Sequence, residues 1–196
     1  DIAATVQAGE PRHFRGTCPR TGAPLEALVE PIAPAPRLLI VGGGHVAQAL
    51  ARQAAMVGFG IAIIEDRPEF TRPELFPEGS ETHCGDPADI LNRLPFDADT
   101  YVAIVSRGHQ HDVAALAACI RKPAAYIGMM GSRRKVALVR KMFIESGLAG
   151  EAELGRLHAP IGLPIGAQTV PEIAVSIVAE LIAVRRQATA LRWSSE

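Results

Sequence analysis

The chain has 196 residues, room for one α/β domain or for one domain with an appendage. Apolar residues make up 48% and charged residues 21%, which excludes a wholly disordered chain. Lys and Arg total 20 against 21 for Asp and Glu, and the resulting net charge of −1 argues against a general nucleic-acid or membrane-surface binder. A local basic pocket for one anionic ligand stays open. Cys18, Cys84 and Cys119 form no CxxC pair, so neither a disulfide framework nor a cysteine-rich zinc site is expected, and a reducing cytoplasm fits best. No signal peptide is visible. The longest apolar run, residues 173–184, is broken by Ser176 and Glu180 and is too short to span a bilayer, which predicts a soluble, cytoplasmic protein.

Six of the 15 prolines fall in residues 1–36, at Pro11, Pro19, Pro24, Pro31, Pro34 and Pro36. Proline fixes φ and removes a ladder donor, so this stretch reads as a proline-rich arm or connector outside the sheet. Residues 37–196 read as a second unit, in which short apolar runs alternate with helical stretches. That pattern predicts a doubly wound parallel, Rossmann-like α/β sheet running from Arg37 to about Ile127. Residues 37–41 form its first strand, followed by a glycine turn and a helix from about His45 to Val57. Residues 61–64 form the second strand, ending at Glu65 and Asp66. A proline-bearing loop, a short strand near 80–84 and a short helix opened by Asp86 and Pro87 follow. A strand at 100–105 precedes a helix over 113–121, for which Asp112 is placed as cap. A strand at 124–127 leads to a turn over Gly128–Gly131 and a helix capped by Ser132, closed by Gly147. Residues 157–168 read as a Gly/Pro-rich loop, and Thr169 with Glu172 as the capping box of a last helix reaching about Arg186. Glu180 falls out of that helix's apolar pattern.

Gly42-x-Gly44-x-x-Ala47 lies between a strand and a helix, the setting of a dinucleotide-binding turn. The first glycine permits the tight turn, and the second lets backbone approach a pyrophosphate at the helix N-terminus. Val46 lies within this turn. Glu65 and Asp66 end the next strand, where a ribose diol would be held. His45 reads equally as a helix-start histidine bonded to nearby backbone or as an ionisable donor beside phosphates. Ser106-Arg107-Gly108-His109-Gln110-His111-Asp112 gathers cations, histidines and an acid at one strand end, the edge where open α/β sheets bind ligands. His109 and His111 have no third ligand at matching spacing, so no metal site is expected. Gly128, Gly131, Ser132, Arg133 and Lys135 offer backbone donors, a hydroxyl and cations, a plausible anion cradle. Cations in a helix's first turn oppose its dipole and so invite an anion. The loop from His158 to Ala167, with Gly162 near its centre, reads equally as a lid or ligand wall over the sheet edge or as a buried structural loop.

These segments resemble the xanthine dehydrogenase accessory factor family (XdhC/CoxI type). The resemblance is carried by residues 42–47 (GGGHVA), 106–112 (SRGHQHD), 125–135 (AYIGMMGSRRK) and 158–163 (HAPIGL), within a similarity running from about Pro31 to Arg186. Pro164 and the Thr169-Val170-Pro171-Glu172 run depart from the usual family pattern. The resemblance implies a non-catalytic chaperone of a molybdopterin-type molybdenum cofactor, in mononucleotide or cytosine dinucleotide form. It implies protection of the cofactor, help in its sulfuration with a cysteine desulfurase-type donor, and delivery to an apo molybdenum hydroxylase of the xanthine dehydrogenase or aldehyde oxidase type. A homodimer stays open. Arg107, Arg133 and Lys135 would meet the cofactor's acidic groups, and Glu65 or Asp66 the ribose of the dinucleotide form. The alternatives are an NAD(P)-dependent oxidoreductase and a nucleotide-sensing regulatory domain. The dinucleotide fold nearly consumes residues 37–196, which leaves little for the substrate domain of a dehydrogenase.

Overall fold

The computed structural model describes residues 11–30, 34–106 and 109–186, with backbone alone at 109 and 110. The chain divides into two compact units between Ala35 and Pro36. In the first, β1 (Arg12–Thr17) and β2 (Pro24–Val29) pair antiparallel, from Arg12 opposite Val29 to Thr17 opposite Pro24. The expected extended arm is therefore a hairpin with a sheet of its own. Its prolines punctuate the strands instead of preventing them: Pro19 falls in the connecting turn and Pro24 opens β2, where no interior ladder donor is lost. Arg15 and Glu26, directly opposite in register, form an ion pair at 2.7 Å.

The second unit is built on a six-stranded sheet. Its elements in chain order are β3 (Arg37–Val41), α1 (His45–Met56), β4 (Gly60–Glu65), β5 (Glu81–Cys84), α2 (Pro87–Arg93) and β6 (Thr100–Ile104). They continue with α3 (His109–Cys119), β7 (Tyr126–Met129), α4 (Arg133–Glu145), α5 (Glu151–Leu154), β8 (Leu157–His158) and α6 (Val170–Arg185). All strand pairs are parallel, in the order β5-β4-β3-β6-β7-β8. This is the doubly wound Rossmann order, and its switch point lies between β3 and β6.

Continuous apolar runs form the central strands because both faces are covered. On one face Leu38, Ile40, Ile61, Ile63 and Tyr101 pack against α1 and α6. On the other, Leu39, Val41, Ile64, Val102 and Ile127 pack against α2, α3 and α4. Alternate residues of one strand thus enter different cores. Among the described residues, no helix is long and apolar enough to cross a membrane.

The sheet extends past the expected end at Ile127. β7 begins at Tyr126 and continues to Met129, and β8 adds a sixth strand beside it. Gly128, expected in a turn, is therefore a strand residue, paired with Ala103 and His158. A two-residue strand carries no periodicity, and its pairing exists only once β7 is in place. α3 begins at His109, so Asp112 lies inside the first turn instead of capping it. Its side chain is 1% exposed, and burial obliges it to find partners elsewhere.

Phe143 of α4 is fully buried in the second core. Phe143→Ala should cost about 3–5 kcal/mol of stability, read as a lower denaturant midpoint at unchanged slope.

Candidate functional site

The parallel topology sends the loops after β3, β4, β6, β7 and β8 to one edge of the sheet. After β3, Gly42 has φ +116°, a region L-residues rarely adopt, and a Cβ there would meet Ser106 Cα at 3.0 Å. The glycine turn is thus seated directly on the end of β6. Gly44 differs: its φ is −73° and a Cβ would meet nothing within 4 Å. The space over the start of α1 is open, and His45 beside it is exposed, with no hydrogen bond to nearby backbone among the described residues.

Glu65 is 3% exposed and turns inward. It accepts from Gly43 N–H at 2.7 Å, from the N–H groups of Asp66 and Arg67 at 3.2 Å, and from the Arg67 guanidinium twice at 2.9 Å. Burial alone would push its pKa up. Arg67, Asp66 and the backbone donors outweigh burial and hold it at about 2. Arg67 also lies over the Phe70 ring at 4.2 Å, and Phe70 closes on Gly43 so tightly that a Cβ there would meet its carbonyl oxygen at 2.4 Å. Of the two expected ribose contacts, Glu65 is thus occupied within the protein. Asp66 is the open one, 37% exposed, with His111 Nδ1 3.5 Å from its carboxylate. Hydrogen bonding to Glu65, burial and Glu65's charge push the Asp66 carboxyl up.

On the other side of the switch point, Asp112 accepts from Ser106 Oγ and from the Lys135 ammonium. Lys135 also reaches Met130 O at 3.4 Å. This links the β6 end to the first turn of α4 and occupies a cation expected to face a ligand. Ser132 caps α4 as expected, accepting from Lys135 N–H at 3.2 Å. Arg133 and Arg134 are exposed and make no ion pair among the described residues. Arg107 and the side chain of His109 lie outside the described residues.

Between the turn after β7 and the loop after β8 lies a cavity of about 690 Å³. Met130–Arg133 form one wall, Pro160–Pro164 another, and Ile173 and Ser176 of α6 the floor. The loop read as a lid or structural loop therefore does wall a cavity. Gly162 has φ +94° and sits so close to α6 that a Cβ would meet Ser176 Oγ at 2.4 Å. Beneath it, Glu180 accepts from Gly162 N–H at 2.7 Å and from Tyr126 Oη at 2.5 Å, and pairs with His158 Nδ1 at 3.0 Å.

Topology therefore groups the predicted residues in two halves. Gly42, Gly44, His45, Val46, Asp66 and His111 flank the glycine turn, while Gly131, Ser132, Arg133 and Gly162 border the cavity. Lys135 and Asp112 form the bridge between loops, and Glu65 and Gly128 belong to the framework. Sequence reasoning missed Arg67, Phe70, Tyr126 and Ser176 as shaping residues. Glu180 did give a signal, as an acid inside an apolar helical stripe.

A Rossmann-type domain with an open glycine turn and a separate cavity at its carboxyl edge defines the class. Residues 38–181 match the XdhC Rossmann domain, and the chain belongs to that family. It is 36% identical over 193 residues to the uncharacterized protein YqeB of Escherichia coli, covering 93% of this chain and 35% of that protein. It is 29% identical over 187 residues to a probable xanthine dehydrogenase subunit of Bacillus subtilis, covering 95% and 52%. With the molybdenum cofactor insertion chaperone PaoD of Escherichia coli it shares 28% identity over 166 residues, 85% of this chain and 45% of that one. The crystal structure of a xanthine dehydrogenase from Bacillus halodurans superposes with a TM-score of 0.70 at 28% identity, over 89% of this chain and 48% of that one. The chain thus spans between 35% and 52% of the length of these relatives.

Glu65 supplies an acid-sensitive restraint. With its pKa lowered from an ordinary 4.5 to about 2, its contribution is full above pH 4.5 and is lost as pH falls toward 2. Glu65→Gln should destabilise the domain at pH 7 by about 2–3 kcal/mol. It should also flatten the loss of stability between pH 4.5 and 2, measured by urea melts across that range.

Proposed function

We propose that this chain is a binding module for a molybdopterin-type molybdenum cofactor, holding it for insertion into an apo molybdenum hydroxylase of the xanthine dehydrogenase type. The observation that carries this reading is the cavity of about 690 Å³, with exposed Arg133 on its rim. Its size falls in the range of small-molecule sites, and it combines apolar walls with a few polar groups. Met130, Ile161 and Ile173 suit a flat ring system, and Arg133, Ser132 and the Gly131 backbone suit its phosphate. In the cytosine dinucleotide form, the open turn at Gly44 would take the pyrophosphate and Asp66 the ribose. The relatives support the reading, since one of them is a molybdenum cofactor insertion chaperone.

Held in this way, the cofactor would lie between the Met130–Arg133 turn and the Pro160–Pro164 wall until it meets its client. Sulfuration would take place on the bound cofactor, with a cysteine desulfurase-type protein as sulfur donor, and the sulfurated cofactor would then pass to the apo-hydroxylase. The module's own side chains bind and orient, and no catalytic set is assigned to them. The Rossmann order favours NAD(P) as the second reading. The open Asp66 would hold a nicotinamide nucleotide's ribose as readily as a pterin dinucleotide's, so direct titration with both ligands separates the two readings.

Titration of the purified chain with molybdopterin, followed by its fluorescence and by native mass spectrometry, should give one bound equivalent. Arg133→Gln should weaken binding about tenfold and reduce its salt dependence, because one charge-assisted contact is lost. Binding of NADH with no binding of molybdopterin would overturn the proposal.

Gly44→Val separates the two cofactor forms. The open space there should limit the loss of melting temperature to about 4 °C, while a side chain blocks phosphate approach. Affinity for the dinucleotide form should fall, with that for molybdopterin unchanged. Calorimetric titration of both forms provides the check.

A further inference from the structure

Glu180 interrupts the apolar face that α6 lays on the sheet through Ala174, Ile177, Val178 and Leu181. Its side chain is only 14% exposed, yet burial does not leave it neutral. Burial pushes its pKa up, but His158, Tyr126 and Gly162 N–H together hold it below the ordinary range. The carboxylate is therefore charged and acts as acceptor. Burial, with the charge of Glu180 added, pushes the Tyr126 hydroxyl well up, so that hydroxyl keeps its proton and donates. The His158 ring packs on Tyr126 at 4.5 Å between centroids, which fixes the ring that faces the carboxylate.

The donors come from β7, β8 and the loop after β8, and they converge on one helix position. Gly162 is the informative one. It lines the cavity, its left-handed backbone lets it approach Ser176, and the next residue, Leu163, donates N–H to Ser176 O at 3.1 Å. Ser176 lies one helical turn before Glu180 on the same helix. The wall is thus fastened to α6 at two adjacent turns, once by backbone and once by the buried charge.

If packing were the only requirement, an apolar side chain would fill this position without the desolvation cost of a carboxylate. A leucine could not hold Gly162 N–H, Tyr126 and His158 at once. We infer that Glu180 is a positioning residue, which fixes the Pro160–Leu163 wall against α6 and so sets the shape of the cavity. The wall itself is a matter of the fold. The consequence for affinity rests on the reading of this cavity as the molybdopterin site.

The test uses the full chain, with hydrogen exchange at the Gly162 and Leu163 amides and molybdopterin titration as separate readouts. Glu180→Gln should speed exchange at both amides at least tenfold. It should also weaken molybdopterin binding about 10- to 100-fold. Tyr126→Phe, which removes one donor only, should give a smaller change in the same direction. A combined Glu180→Leu, Tyr126→Phe, His158→Leu variant replaces the network by apolar packing and should regain the wild-type melting temperature. Exchange at Gly162 should stay fast and molybdopterin affinity should stay low, which a purely structural role would not produce. Recovery of both along with stability would overturn the inference, as would unchanged exchange in Glu180→Gln. If the wild-type chain fails to bind molybdopterin, the functional reading falls, and the exchange data alone decide the positioning role.

Discussion

The carboxylate of Glu65 holds the first turn of the Rossmann unit to its second strand. It gathers the N–H of Gly43, two amides of its own strand end and both sides of the Arg67 guanidinium. Arg67 in turn carries the Phe70 ring, and Phe70 closes over Gly43. The glycine turn is therefore fixed from below by a charge and from the side by a packed loop. Beside the fixed turn, the space over Gly44 is open at a helix start, where an anion is favoured.

The same device recurs along the carboxyl edge. Asp112 joins Ser106 to Lys135, and Glu180 joins Tyr126, His158 and Gly162. Glu65 and Asp112 are buried and Glu180 is largely so, and each accepts from donors on another element of the sheet edge. Parallel strands place these loops side by side but do not cross-link them, since their ladder bonds end with the strands. These carboxylates supply the cross-links, and they decide which polar groups are left unengaged at the edge. Lys135 is occupied and Arg133 stands exposed on the cavity rim; Glu65 is occupied and Asp66 is open. Chemistry at the edge is divided by what the fold has already used.

Membership of the XdhC Rossmann domain family places this architecture among proteins that include an insertion chaperone for the molybdenum cofactor. The chain spans between 35% and 52% of its relatives' length. The Rossmann unit contributes a glycine turn and a separate walled cavity on either side of the switch point. On the proposed reading, the first would take a phosphate and the second a ring system.

Apolar runs at 37–41, 61–64 and 100–105 determined from sequence alone a parallel sheet covered on both faces, because strands buried on two sides cannot alternate. The glycine turn, the Ser132 cap and the Thr169–Glu172 capping box were equally local, each depending on residues within a few positions of one another. What is local in chain order can be read from chain order. The strand order, the two-residue β8 and the hairpin in place of an arm were decided by pairing between distant segments. So were the roles of the ionisable residues. Glu65 and Asp66 are adjacent in sequence and chemically alike, yet one points into a cage of donors and the other toward His111. Glu180 was visible as an acid in an apolar stripe, but its partners lie 18, 22 and 54 residues away. Sequence shows that a buried charge must be satisfied; only the tertiary structure determines which donors satisfy it, because those donors are assembled by the sheet.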